Sequence, residues 1–209
     1  MWAVVMALPK MLELDAKVLQ QQELIDKVFF LLVEAPEIAR TAEPGQFVQL
    51  RILSGAFTLR RPVGVAAVDR EKGSVAFIYR VVGKGTAALS ALKKDDMVNV
   101  LGPLGHGFSL AFKHPLIVGG GMGLSPLLYY AAALEGRGDV LMGGRTEEEL
   151  FWKTLFDGFT RNIFITTDDG SLGVKGFTTD LLPTLLERYD YDGIVVCGPE
   201  VMMRGVAKL

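Results

Sequence analysis

The chain has 209 residues, half of them apolar and 22% charged, with a formal net charge of -2. That length holds one large core or two small ones of roughly 100 residues each, and the composition excludes a disordered chain. The near-balanced charge, with Lys and Arg scattered along the chain, argues against a nucleic-acid surface, which needs a basic stripe to neutralise phosphates.

The lone cysteine, Cys197, excludes an intramolecular disulfide and points to no oxidising compartment, so the expected location is cytoplasmic. Residues 1–8 are apolar but much shorter than the ~20 residues of a membrane span, and no cationic stretch precedes them. They read as an extension upstream of the first strand, with Met6 and Met11 as alternative starts.

In chain order, the first half shows six short strand patterns, at residues 12–19, 28–33, 46–52, 62–68, 74–81 and 97–101. Pro44-Gly45 and Glu71-Lys72-Gly73 are turn signals, and one helix is expected at 86–93. Short strands regularly divided by such turns imply an antiparallel barrel. In the second half, buried apolar runs at 115–118, 139–142, 162–166 and 193–197 alternate with helical patterns at 125–135, 147–157, 178–188 and from near 200. That alternation implies a parallel sheet covered on both faces. The expected division is therefore a barrel over residues 1–111 and an α/β domain over residues 112–209, packed together without a linker.

Leu116-Ile117-Val118 runs into Gly119-Gly120-Gly121-Met122-Gly123-Leu124-Ser125-Pro126, and a helical pattern follows at once. A dinucleotide pyrophosphate needs backbone amides at close range and a helix N-terminus aimed at its charge, which larger side chains would block. Pro126 suits the first helical turn, where a missing amide costs nothing. Three of the four strand patterns here end in glycine, at Gly119, Gly143 and Gly198. Ligands of open parallel sheets lie beyond the carboxyl ends of the strands. The candidate dinucleotide contacts are Gly120, Gly121, Gly123, Ser125, Pro126, Cys197, Gly198 and Pro199.

A glycine cluster alone is equally an ordinary tight turn, and Cys197 is equally a small buried apolar residue. No basic residue adjoins Cys197 in sequence, so nothing marks it as an activated nucleophile. Glu147-Glu148-Glu149 has two readings: carboxylates facing the dipole of a helix start, or acids along an adenosine ribose. In the second case they would join Asp168-Asp169 in repelling a 2′-phosphate and favour NAD over NADP.

In the first half, Arg60-Arg61-Pro62-Val63-Gly64 heads a strand. A guanidinium grips phosphate oxygens in a fork, although exposed arginine pairs are also common at strand edges. Ile78-Tyr79-Arg80 lies on a strand, and Gly83-Lys84-Gly85-Thr86 opens the helix with free amides and Thr86 as the expected cap. Two phosphate-binding devices in the barrel and one in the sheet indicate two nucleotide cofactors.

Together with Pro44-Gly45-Gln46-Phe47-Val48, Gly102-Pro103-Leu104-Gly105-His106-Gly107-Phe108, Asp168-Asp169-Gly170-Ser171 and Cys197-Gly198-Pro199-Glu200, these motifs carry a resemblance from about Leu12 to Leu209. The chain resembles the ferredoxin reductase superfamily, and within it the electron transfer subunits of NAD-linked dihydroorotate dehydrogenases. The resemblance implies a flavin-binding β-barrel followed by a Rossmann-like NAD-binding domain. FAD would be held by Arg61, Pro62, Val63, Gly64, Ile78, Tyr79, Arg80, Gly85 and Thr86, and NAD would present its C4 to flavin N5. The implied partner is a dihydroorotate-oxidising subunit carrying FMN, in a heterotetramer serving pyrimidine biosynthesis. Electrons would pass from FMN through an iron-sulfur cluster to FAD and NAD.

Two departures stand out. Gly64 occupies a position where the family usually has a serine or threonine whose hydroxyl contacts flavin N5. The family's 2Fe-2S cluster takes four cysteines lying after the Cys-Gly-Pro-Glu motif, whereas this chain has one cysteine and ends at Leu209, inside an expected helix. That pattern reads as a truncated product or, less simply, a shortened relative without a cluster. The motifs also leave open a stand-alone NAD(P)H-flavin reductase, the flavin subunit of a hydrogenase or transhydrogenase, and a non-catalytic scaffold.

Overall fold

The computed structural model describes residues 11–53 and 58–209. The apolar extension at 1–8 and the alternative start at Met6 lie outside the described residues. Strands β1 (Leu12–Ile25), β2 (Val28–Glu34), β3 (Phe47–Ile52), β4 (Arg61–Asp69), β5 (Ser74–Arg80) and β6 (Met97–Leu104) close into a barrel in the order β1-β2-β5-β4-β3-β6. Every pairing within it is antiparallel.

Alternation builds the barrel interior, because successive side chains of a strand point to opposite faces. Val48, Leu50 and Ile52 of β3 point inward with Val63 and Val65 of β4 and Phe77 and Tyr79 of β5. β5 is buried on both faces from Ser74 to Tyr79. Its outer face carries Ile78, which joins Val28 and Ala66 in one apolar cluster with Leu124, Leu127 and Leu128 of the second half.

The second half is a five-stranded parallel sheet in the order β10-β9-β8-β7-β11. Its strands are β7 (Pro115–Gly120), β8 (Asp139–Gly144), β9 (Ile163–Thr167), β10 (Val174–Lys175) and β11 (Gly193–Cys197). Helices α3 (Leu124–Ala133) and α4 (Trp152–Phe156) cover one face, where Tyr130 and Trp152 are buried. Helices α5 (Thr178–Arg188) and α6 (Glu200–Val206) cover the other, where Leu182, Leu185 and Val206 meet Leu116, Val118 and Leu141. The two halves share a core and a polar tie, the Tyr129 hydroxyl of α3 donating to the Ala42 carbonyl at 3.0 Å.

The structure corrects several expectations. β1 continues to Ile25 because Gln20, Gln21 and Gln22 pair with Leu32, Leu31 and Phe30 through backbone bonds that leave no apolar signal. An additional helix, α1 (Pro36–Thr41), follows β2, started by its proline and held by buried Ile38 and Ala39. The expected helix at 86–93 is α2 (Lys84–Ser90), preceded by Gly83 in extended conformation. Thr86 is therefore not the cap: it sits one turn in, and its Oγ1 accepts from the amides of Val82 and Gly83 at 2.9 and 3.1 Å. The expected helix at 147–157 is broken into a 3-10 turn, Glu147–Leu150, and the short α4.

Candidate functional site

The carboxyl ends of β7, β8 and β9 form one wall of a cleft of about 560 Å³. Gly120, Gly121 and Met122 enter it from β7, Gly143, Gly144 and Arg145 from β8, and Thr166 and Asp168 from β9. The first residues of α5, Pro199, Val201 and Met202 near α6, and Arg80 of the barrel complete the lining.

The glycine turn explains why the cleft is open. Gly121 has φ +54°, a left-handed conformation natural to glycine. A β-carbon on Gly123 would overlap the Cys197 carbonyl oxygen and come within 2.6 Å of the Gly198 α-carbon. Bare backbone at Gly123 thus lets the β7 turn lie directly on the end of β11. Of the expected dinucleotide residues, Gly120, Gly121 and Pro199 line the cleft. Gly123, Cys197 and Gly198 form its backing, and Pro126 faces the barrel at Gly64. Ser125 is buried, and its hydroxyl has no hydrogen-bond partner. Cys197 is half-buried and desolvation pushes its thiol pKa up, as in a packed apolar residue rather than a reactive thiolate.

The acidic run divides. Glu149 lines the cleft, while Glu147 and Glu148 are exposed and do not. Arg145 donates to Glu149 from its Nε and from its backbone amide, each at 2.9 Å, and this bonding holds the Glu149 carboxyl below the usual glutamate range. Asp168 stands at the cleft. Asp169 instead accepts from the Ser171 amide and hydroxyl at 2.9 and 2.6 Å and shapes the loop.

On the barrel side, the Arg61 guanidinium occupies the space that a β-carbon on Gly85 would fill, and it donates to the Leu59 carbonyl. Arg61 thus meets Gly85, which is distant in sequence, at the start of α2. Pro62 is exposed, Val63 points into the barrel, and Gly64 lies half-buried beneath α3. The side chains of Ile78 and Tyr79 belong to the cores on opposite sides of β5. Gln21 Nε2 donates to the Tyr79 hydroxyl at 2.7 Å, and burial raises that phenol's pKa to about 12. Arg80 is the residue of this trio that reaches the cleft, with a buried Nε that has no partner. Sequence reading did not single out Thr166, Phe177, Thr178, Val201 or Met202. The rule that ligands sit beyond strand ends would have found Thr166, but the others depend on where α5 and α6 begin.

These features fit nucleotides: a guanidinium seated on bare backbone, an orphaned buried Arg80 Nε, and a glycine floor where β-carbons would fill the space. They do not fit an iron-sulfur cluster. Among the described residues no group of three or more His, Cys, Asp or Glu could hold a metal ion, and one cysteine in the chain falls short of the four ligands such a cluster takes.

No family model matches the chain. The electron transfer subunit of dihydroorotate dehydrogenase B (NAD(+)) from Desulforamulus reducens is 36% identical over 201 residues, covering 93% of this chain and 77% of that protein. The chain belongs to the dihydroorotate dehydrogenase B electron transfer subunit family. The Bacillus cereus (strain Q1) member is 36% identical over 199 residues, covering 90% of this chain and 75% of its own. Among solved structures, that of an NADH-dependent reduced ferredoxin-NADP oxidoreductase, studied for flavin-based electron bifurcation, aligns with TM-score 0.80 at 30% identity, over 92% of this chain and 71% of its own. A ferredoxin NADP+ reductase from Neisseria gonorrhoeae with bound FAD and NADP shares the fold at TM-score 0.76 and 16% identity, over 94% of this chain and 89% of its own. The barrel-plus-parallel-sheet fold expected from the motifs is the observed one. Among the described residues no helix is long and apolar enough to cross a membrane.

Proposed function

We propose that this protein is the NAD-facing flavoprotein of a two-subunit dihydroorotate dehydrogenase. On this reading residues 1–111 hold FAD, residues 112–209 hold NAD(H), and a separate FMN subunit oxidises dihydroorotate in a cytoplasmic heterotetramer. One observation carries it: the cleft beyond the strand ends of the sheet is also lined by Arg80 of the barrel, so the two halves address one space. The names of the relatives, as electron transfer subunits, support a separate catalytic partner.

FAD, when bound, supplies the conversion of a hydride into single electrons. The chain's own residues bind, orient and exclude water. Arg61, held against Gly85, would offer a fork of donors to the phosphate oxygens of FAD beside Thr86, with Pro62, Val63 and Gly64 supplying the adjoining strand. Ile78 and Tyr79 stiffen β5 so that Arg80 is fixed at the cleft. Gly120, Gly121 and Pro199 would give the dinucleotide a close backbone approach, with Gly123, Ser125 and Pro126 of the turn and Cys197 and Gly198 of the β11 end packed behind them. The shared apolar cluster of Ile78, Leu124 and Leu127 keeps the two sites in register.

One second reading, an NADH-dependent flavin reductase serving a diffusible acceptor, uses the same cleft lined by both halves. Anaerobic titration with NADH, followed by addition of the dihydroorotate-oxidising subunit, separates the two. Both readings require the flavin absorbance to fall with NADH. Complex formation with that subunit supports the first reading, and turnover with free acceptors without any such complex supports the second.

A further inference from the structure

We propose that the open edge of β9 is a docking groove for a short extended peptide segment bearing acidic and apolar side chains. The groove shares no lining residue with the cleft and depends on none of the coenzyme assignments. β10 ends the sheet, but it has two residues and pairs only with Thr166 and Thr167. Ile163, Phe164 and Ile165 therefore pair with β8 alone, opposite Val140, Leu141 and Met142. Beside them lies a groove of about 420 Å³.

Strand alternation gives the direction of the backbone. The Asn162 carbonyl is turned to β8, where it accepts from the Val140 amide at 3.0 Å. Successive residues of a strand turn their peptide groups to opposite sides, so the amide and carbonyl of Ile163 face away from β8 and into the groove. The carboxyl end is closed, because Gly173, at φ +72°, lies so near that a β-carbon on it would come within 2.3 Å of the Ile165 carbonyl oxygen. Exposed strand edges are usually blunted by a charge, a proline or a bulge. None interrupts this one, whose residues are apolar and pair with β8 in unbroken register.

The two banks select what the guest carries. Ile163 and Ile165 belong to the apolar cluster on the α4 face and Phe164 to that on the α5 face, so the groove opens onto both. α4 contributes Lys153 to one bank and α5 contributes Arg188 to the other. Both are exposed, and among the described residues neither pairs with a carboxylate. Side chains of an added strand would alternate between the banks, so two adjacent carboxylates in an extended guest would each meet one cation. Backbone groups aimed into the groove favour a peptide, which can add as a strand, over a simple fatty carboxylate.

The test uses the 209-residue protein and a fluorescein-labelled hexapeptide, Val-Val-Glu-Glu-Val-Val, in anisotropy titrations, with hydrogen exchange of the backbone amides alongside. The peptide should bind saturably, and the Ile163 amide should exchange at least ~10-fold more slowly with it bound. Lys153→Gln and Arg188→Gln should each weaken binding about two- to five-fold, the scale of one exposed ion pair, with melting temperatures unchanged. A hexapeptide N-methylated at its central residues, or with lysine in place of both glutamates, should bind at least ~10-fold more weakly. Absence of binding overturns the proposal, as does equal binding of either control peptide, unchanged affinity in the double Gln variant, or unchanged Ile163 exchange with the peptide bound. Octanoate that competes as strongly as unlabelled peptide also overturns it, because the groove would then read a carboxylate on an apolar chain and not a backbone.

Discussion

Gly64 on β4 and Pro126 in the first turn of α3 stand against each other: a β-carbon added to Gly64 would lie 3.3 Å from both Cβ and Cδ of the proline ring. The bare backbone at Gly64 goes together with that close ring. A ring fixed in a helix start yields little, and overpacking of this kind costs about 1 kcal/mol or more. Gly64→Ser should therefore lower stability in urea unfolding by about 1 kcal/mol, and Pro126→Ala in the same chain should recover part of the loss. Strictly additive effects of the two substitutions would show that the ring is not the obstacle.

Gly123 and Gly121 should respond differently to the same change. Alanine at 123 meets backbone on the far side, the Cys197 carbonyl and the Gly198 α-carbon, so the end of β11 must move. Gly123→Ala should destabilise by about 2–3 kcal/mol and weaken NADH binding by at least ~10-fold. At Gly121 nothing lies within 4 Å, and only the positive φ opposes a side chain. Gly121→Ala should cost about 1–2 kcal/mol. Denaturant curves and NADH titrations on the two variants give the comparison, and equal losses would refute the steric account.

Coenzyme choice should follow Asp168 and the Arg145–Glu149 pair rather than the whole acidic run. A preference for NADH over NADPH of at least ~10-fold, about 1.4 kcal/mol, is expected in anaerobic flavin reduction. Glu149→Gln removes the charge that holds Arg145, freeing a guanidinium at the cleft for a 2′-phosphate, and should narrow the preference. Glu147→Gln should leave it unchanged, since Glu147 lies outside the cleft. Because Glu149 has a lowered pKa, its pairing is fully present above the ordinary glutamate value near 4.5 and is lost only as pH falls through the lowered folded value. The preference should thus stay flat from neutral pH down to about 5. A decline across that range would assign it to other groups.

Much of this arrangement is local in origin, and those parts were legible in the residues. Alternation predicts the barrel strands around Val48, Leu50 and Phe77, and an apolar run ending in glycine before a helical pattern predicts the β7 turn. What could not be read depends on distant partners. Arg61 finds its place against Gly85 only when the barrel closes, and Arg80 reaches the cleft only because Ile78 packs on α3. Thr166 and the Thr178 methyl come together beside Gly143, three segments that no periodicity connects. Motif reading grouped Ile78, Tyr79 and Arg80, yet strand geometry sends the first two side chains into opposite cores. Short elements such as α1 and β10 carry too few residues for any period to register.

Hydride acceptance and electron export should be separable in this chain. Hydride acceptance requires only the proposed FAD and NAD sites, and Arg80 of the barrel stands at the cleft beyond the sheet. A protein of these 209 residues should yield FAD rather than FMN on extraction, because Arg61 beside Gly85 and Thr86 offers more phosphate contact than a mononucleotide uses. Its flavin absorbance should fall with NADH and return with ferricyanide. Export through a cluster to the proposed partner is another matter, since the one cysteine of these 209 residues cannot supply the four ligands of a 2Fe-2S centre. Iron and acid-labile sulfide should be absent from the purified chain, and mixing it with the dihydroorotate-oxidising subunit should give little orotate-linked NAD reduction. Coupled turnover matching that of a cluster-containing subunit would overturn this expectation and point to direct flavin-to-flavin contact or to a cluster held by the partner.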